Sequence, residues 1–319
     1  MQEKLGNKNI RIGTRGSQLA LAQAHETKGR LLAAHPELNE AQIEIVVMST
    51  RGDRILDRPL AEIGGKGLFT EEIEAALLAG EIDLAVHSLK DMPTELPEGL
   101  ELAAYLERED VRDAFISSKA ASLMELPAGA VVGTASLRRQ AQTLALRPDL
   151  KVVTFRGNVQ SRLRKLEAGE VDATFLAMAG LNRLALEDGR VHPLAIGELL
   201  PAVAQGAICI EIAINNARAM ALVSPLNHPP TEQQVVAERA FLNELDGSCR
   251  TPIAGLATLD GGRLLLRGRL LDLDGSEVYE DREEGSAGEA ENIGRILGRR
   301  MKETAGKAFY DKLMAASGT

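Results

Sequence analysis

Short apolar strands that alternate with helix-forming stretches, their ends marked by Ser, Gly and Arg, constrain this chain more than any other feature. The pattern is clearest from Val131 to Leu166, which reads as two successive strand–loop–helix units. Val131-Val132-Gly133-Thr134 is the first strand, and Ser136 caps a helix with Arg138 and Arg139 in its opening turn. Val152–Phe155 is the second, followed by Arg156-Gly157-Asn158 and a helix carrying Arg162 and Arg164. Helix N-termini are already partly positive, so a cation there is mildly unfavourable. Arginines stacked at two such places read either as a site for a carboxylate or phosphate from outside the chain, or as a solvated basic face.

The same grammar opens the chain. Ile10–Thr14 is a strand, Arg15 closes it, and Ser17 caps an Ala/Leu-rich helix that ends near His35-Pro36. Ile43–Met48 is nearly all apolar, as in a strand covered on both faces. Thr70 caps a helix that begins Glu71-Glu72 and ends at Gly80. Ile82–His87 is a further strand, ending in Ser88-Leu89-Lys90-Asp91. Strand–helix alternation implies doubly wound parallel sheets, and these bind ligands outside the carboxyl ends of their strands. Lys90 and Asp91 stand at such an end, although a lone Asp also serves simply to start a turn before Pro93. His87 reads as a core or sheet-edge residue. Between Ser49 and Phe69, Gly64-Gly65-Lys66-Gly67 is either a mobile flap or a plain surface loop. A P-loop is excluded, because that pattern needs Ser or Thr directly after Gly-Lys, and Gly67-Leu68 follows Lys66 here.

Strands at Leu100–Leu106 and Ala114–Ser117 flank a charged crossing, and Asp172–Ala179 is followed by Arg183. Ala207–Ile214 is a buried strand on which the chain returns. The expected organisation is therefore a lobe of 1–107 with 204–225, a second lobe of 108–203, and a cleft between them. From 226 to 319 the pattern becomes a small α+β domain. Thr231 and Gln234 box the start of its first helix, Cys249 lies in a loop, and three strands turn at Asp260-Gly261-Gly262 and Asp274-Gly275-Ser276.

A length of 319 residues suffices for two or three cores. The net charge of −9 argues against general nucleic-acid or anionic-membrane binding, so local arginines point to a focused pocket for a small anion. Leu194–Ile214 is interrupted by Glu198, Pro201, Gln205 and Glu211 and reads as core, not as a membrane span. No apolar signal core opens the sequence, and two cysteines without metal-ligand spacing make neither a disulfide framework nor a metal site. A cytoplasmic location is expected. Cys249, beside Arg250, reads as a reactive thiolate or attachment point, or as an inert small side chain; Cys209 reads as core.

Taken in order, Thr14-Arg15-Gly16-Ser17-Gln18-Leu19-Ala20, Thr50-Arg51-Gly52-Asp53, Gly64-Gly65-Lys66-Gly67-Leu68-Phe69, Ala85-Val86-His87-Ser88-Leu89-Lys90-Asp91, Gly133-Thr134-Ala135-Ser136-Leu137-Arg138-Arg139, Arg156-Gly157-Asn158 and Gly247-Ser248-Cys249 resemble the porphobilinogen deaminase (hydroxymethylbilane synthase) family. The resemblance implies two periplasmic-binding-protein-like lobes plus a C-terminal α+β domain with a three-stranded antiparallel sheet. It implies a monomer that joins four porphobilinogen molecules head to tail with loss of ammonia, using a dipyrromethane cofactor held by a thioether to Cys249. Asp91 matches the catalytic aspartate. Ser88, Lys90, Thr134, Ser136, Arg138, Arg139 and Arg162 match cofactor-binding positions; Arg15, Ser17, Gln23, Arg156, Arg162 and Arg183 match substrate-binding ones; Lys66 and Phe69 match the flap. The chain departs from the family at Ala204, where Gly is usual, and at Ser248 and Arg250 beside the attachment cysteine.

Overall fold

The computed structural model describes residues 9–54, 68–186, 189–245, 247 and 251–317. These fall into two compact units, one holding 9–54, 68–108 and 207–232, the other the remainder.

The first unit begins with β1 (Ile10–Arg15), α1 (Gln18–Ala34), β2 (Ile43–Met48) and the single helical turn α2 (Arg51–Arg54). It continues with α3 (Glu71–Leu78), β3 (Leu84–Ser88) and β4 (Leu100–Tyr105). The chain then builds β5 (Asp113–Ser117), β6 (Val131–Gly133), α4 (Leu137–Leu146), β7 (Lys151–Val153), α5 (Val159–Glu167), β8 (Ala173–Ala177), α6 (Met178–Arg183) and β9 (Val191–Pro193) in the second unit. It returns to the first with β10 (Ile208–Ala213) and α7 (Ala217–Val223).

The two sheets share one plan. In the first the order is β2-β1-β3-β10-β4, in the second β7-β6-β8-β5-β9. Three parallel strands lie on one side of each sheet, and the fourth position is an antiparallel strand drawn from elsewhere in the chain. These are two α/β lobes of the kind expected from the strand–helix alternation, each with one antiparallel strand in its sheet. In the first, α1 sets Ala24 and Leu31 against Ile10, Ile12 and Ile43 on one face. On the other, Ile73, Ala76 and Leu77, one helical stripe of α3, meet Ile82 and Ala85. Each fully buried Leu or Ile of such a stripe contributes about 1.5–3 kcal/mol of transfer free energy. β2 corrects the reading that it is covered on both faces. It is an edge strand, and Val47 is 56% exposed.

The C-terminal part contains α8 (Pro229–Glu244), then β11 (Ile253–Asp260), β12 (Arg263–Leu271) and β13 (Val278–Ser286) as an antiparallel sheet, and α9 (Ala290–Ser317), broken at Gly306. Leu264, Leu266 and Leu270 are buried, while Arg263, Arg267 and Arg269 pair with Glu284 and Glu280 across β12 and β13. Phe241 of α8 lies so close to β12 that a Cβ on Gly268 would come within 2.5 Å of its ring. Two expected caps are absent. α8 starts at Pro229, so Thr231 lies inside the helix and its Oγ1 accepts the Arg108 N–H at 3.0 Å. Thr70 makes no side-chain cap on α3; its hydroxyl is engaged with Glu74 instead.

Candidate active site

β1 and β3 are parallel neighbours, so their carboxyl ends open at the same edge of the sheet. The chain leaves β1 toward β2 on one side and reaches β3 on the other, so a crevice opens at this switch point. Arg15 is the last residue of β1. Ser17 begins α1, its Oγ accepting the Ala20 N–H at 3.2 Å, and the buried Thr14 hydroxyl donates to the Ala20 carbonyl at 3.2 Å. Gln23, the buried polar residue of this helix nearest the crevice, reaches the end of β3. Its Nε2 donates to Ser88 Oγ at 2.8 Å, and the Ser88 hydroxyl lies 3.1 Å from Gln23 Oε1. A tight turn over Leu89–Asp91 follows, closed by the Met92 N–H on the Leu89 carbonyl. It leaves Asp91 exposed at a pocket that Arg15, Ser17, Gln23, Phe69 and Ser88 also line. With its mouth the pocket encloses about 430 Å³. The Arg15 guanidinium sits 4.2 Å from the centre of the Phe69 ring, which holds a cation over an apolar wall. Lys90 is half-buried in the same turn as Asp91.

In the second unit Ser136 caps α4 as expected, accepting the Arg139 N–H at 3.4 Å, and Thr134 is buried just before it. Arg138 and Arg139 are not a solvated face: they are 4% and 6% exposed. Their first anion comes from within the chain. Arg138 Nη1 donates to Asp113 Oδ2 at 2.7 Å, and Arg139 holds Asp113 Oδ1 with Nε and Nη2. Arg138 Nη1 also donates to the Leu200 carbonyl at 2.8 Å and Arg139 Nη1 to the Phe175 carbonyl at 2.9 Å, and Gln205 Nε2 adds a bond to Asp113 Oδ1 at 3.1 Å. Burial alone would push the Asp113 carboxyl up, but the two guanidinium groups outweigh it and hold it well below the ordinary carboxylate range. Two cations face one anion here. Arg138 Nε is buried without an acceptor among the described residues.

Gly157 has φ +130°, and Arg162 folds back from α5 to donate to its carbonyl at 2.8 Å. Arg156 is half-buried just before that turn. Arg183, at the end of α6, donates to the Gly206 carbonyl at 3.2 Å. Lys66 and Cys249 lie outside the described residues, as do Ser248 and Arg250. Cys209 is fully buried in β10, as expected. Sequence reasoning passed over Asp113. It directly precedes the apolar run Ala114-Phe115-Ile116 and is the first residue of that strand, and a lone carboxylate so placed is the signal for a buried partner of paired arginines.

Two family models match the chain. One, described as porphobilinogen deaminase, dipyromethane cofactor binding domain, covers residues 10–221; the other, porphobilinogen deaminase, C-terminal domain, covers 232–303. The chain belongs to the porphobilinogen deaminase family. A porphobilinogen deaminase from Paracoccus denitrificans is 58% identical over 305 residues, which is 95% of this chain and 96% of the relative. One from Nitrobacter hamburgensis is 56% identical over 299 residues, 94% of each. Among solved structures, an ABC transporter periplasmic substrate-binding protein from Coxiella burnetii is similar with a TM-score of 0.43 at 17% identity, over 70% of this chain and 94% of that one. Membership in the family accounts for the order of the sequence motifs from Arg15 through Cys249.

Proposed function

We propose that this chain is a hydroxymethylbilane synthase: it deaminates porphobilinogen and condenses four molecules head to tail, starting from a covalently held dipyrromethane. The identity to porphobilinogen deaminases over nearly the whole length of both chains carries this reading. The residues suit such a primer. Each pyrrole bears an acetate and a propionate, and the buried arginine pair keeps one positive charge in excess of Asp113, with Arg138 Nε still without an acceptor among the described residues. Cys249 would hold the cofactor by a thioether, with Ser88, Lys90, Thr134, Ser136, Arg138, Arg139 and Arg162 around its side chains. When bound, the dipyrromethane supplies the ring carbon to which the first porphobilinogen is joined.

Asp91 stabilises the positive charge that develops on the pyrrole nitrogen of porphobilinogen as ammonia leaves, because a fixed carboxylate at a pocket wall needs no reorganisation to meet it. It then accepts the proton displaced from the ring carbon as the new carbon–carbon bond forms. Arg15, Arg156, Arg162 and Arg183 bind the ring carboxylates, with Ser17 and Gln23 completing the pocket around Arg15. Phe69 holds the Arg15 guanidinium in place, and Lys66 belongs to the segment that covers the site. The enzyme works as a monomer in the cytoplasm.

Purified protein incubated with porphobilinogen consumes it with release of one ammonia per molecule, and the protein itself turns pink with acidified Ehrlich's reagent. Failure of both under conditions where the protein is folded contradicts the reading.

A further inference from the structure

Behind the pocket lies a group of ionisable side chains that the mechanism above does not use. His87, near the end of β3, is 6% exposed and forms part of the pocket wall. Its Nε2 lies 3.1 Å from Oε2 of Glu211, a fully buried residue of β10. The register explains the contact. Cys209 pairs with His87 and Glu211 pairs with Ala85, so the two side chains meet diagonally on one face of the sheet. α3 covers that face and adds Glu74, 6% exposed. Glu74 is bonded to the hydroxyl of Thr70, another residue of the pocket wall. The group thus begins and ends at the pocket. Glu74 Oε1 and Glu211 Oε1 are both buried without a hydrogen-bond partner among the described residues. Two buried carboxylates beside one imidazole cannot both be ionised cheaply.

We propose that Glu74, His87 and Glu211 share a proton, and that Glu74 is a positioning residue whose neutral form sets the Thr70 and His87 wall of the pocket. The proposal rests on the deaminase reading and adds residues to it. Burial pushes the Glu74 carboxyl up, and Glu211 and Glu71 push in the same direction, while the Thr70 hydroxyl and His87 work against them. Other charged groups about this layer are Glu72 on α3 itself and Arg15 at the end of β1; the β4 residue paired with Glu211 is Leu102. Ionising Glu74 sets its charge against Glu211, which pushes the Glu74 carboxyl up, and the strain falls on the first turn of α3. That turn carries Thr70 and adjoins Phe69, the ring beneath Arg15.

The test compares wild type with Glu74→Gln, which keeps the shape of a neutral carboxyl and cannot ionise. Wild-type kcat/KM for porphobilinogen falls on the alkaline side as Glu74 loses its proton. In Glu74→Gln that limb lies at least about one pH unit higher, the size of an ordinary environmental shift. An active wild type whose alkaline limb is unchanged by the substitution overturns the proposal, whereas a wild type that never consumes porphobilinogen refutes the deaminase reading instead. A second measurement needs no turnover. Carboxyl carbon-13 NMR of Glu74, assigned with Glu74→Gln or by selective labelling, shows titration above the ordinary carboxylate range in wild type and a move back toward that range in Glu211→Gln. Ordinary titration of Glu74 in wild type overturns the proposal even if the variants do not fold.

Discussion

Arg139 holds a single oxygen of Asp113 with two nitrogens, Nε at 3.1 Å and Nη2 at 2.7 Å, while Arg138 takes the other oxygen. Two arginines that the family resemblance assigns to the cofactor are therefore set in place by a carboxylate of the chain itself. A guanidinium held in this way cannot swing, so whatever acceptor meets its remaining donor meets it at a fixed position. The anchor also joins strand β5, helix α4 and the return segment through Gln205.

Asp113→Asn leaves two buried guanidinium groups without their anion and lowers stability by about 3–5 kcal/mol at neutral pH. Because the folded carboxyl ionises below its unfolded value, the wild-type contribution is complete above the ordinary carboxylate range and is lost as pH falls through the depressed folded value. Urea unfolding at neutral and acid pH measures both effects. A loss below about 1 kcal/mol, the scale of a surface pair, contradicts the anchoring role.

Ala204 has φ +61° and is buried, and its N–H donates to Glu238 Oε2 at 2.6 Å. A non-glycine residue in this region is strained by about 1–2 kcal/mol, and glycine gives back about half of that in unfolded-chain entropy. Ala204→Gly, which restores the usual family residue, should therefore raise stability by about 0.5–1 kcal/mol. A lower denaturation midpoint in that variant would show that the backbone is not strained.

Asp91→Asn keeps the shape of the side chain and removes its charge. Turnover should fall by about 10²–10⁴-fold, with porphobilinogen still able to bind. Single-turnover kinetics separate the two, and activity within a few-fold of wild type rules Asp91 out as the group that handles the proton.

The mass of the intact protein should exceed that of its sequence by a two-pyrrole unit. The excess should disappear in Cys249→Ser and persist in Cys209→Ser, since Cys209 is packed inside β10 with its sulfur against the His87 carbonyl. Unmodified Cys249 in active protein would disprove the thioether.

The elements that came through in the sequence are those with a strong local period. α1, α4 and the strands β1 and β3 announce themselves by a cap or an apolar run, and Arg15, Ser17, Ser88 and Asp91 of the pocket stand at or just beyond the ends of two such strands, whereas Gln23, inside α1, came only from the family resemblance. What local pattern cannot carry is partnership across distance. Asp113 and Arg139 are joined only when β5 lies beside β8, and His87 meets Glu211 only because β10 enters between β3 and β4. The same limit explains β2, whose apolar run says nothing about whether a further strand lies outside it. At the start of α8, Thr231 satisfies the pattern of a capping box but is claimed by the Arg108 N–H.

The entry of β10 between β3 and β4 has a consequence for biosynthesis. β4 leaves the ribosome early, yet its one neighbour in the sheet among the described residues is made after all of β5 to β9. Until β10 emerges, β3 and β4 each carry an edge with no strand to close it, so the nascent first lobe must wait while the intervening chain is synthesised and folds. The pocket at the end of β3 is therefore among the last parts of the lobe to be fixed, although nearly all of its residues are made first.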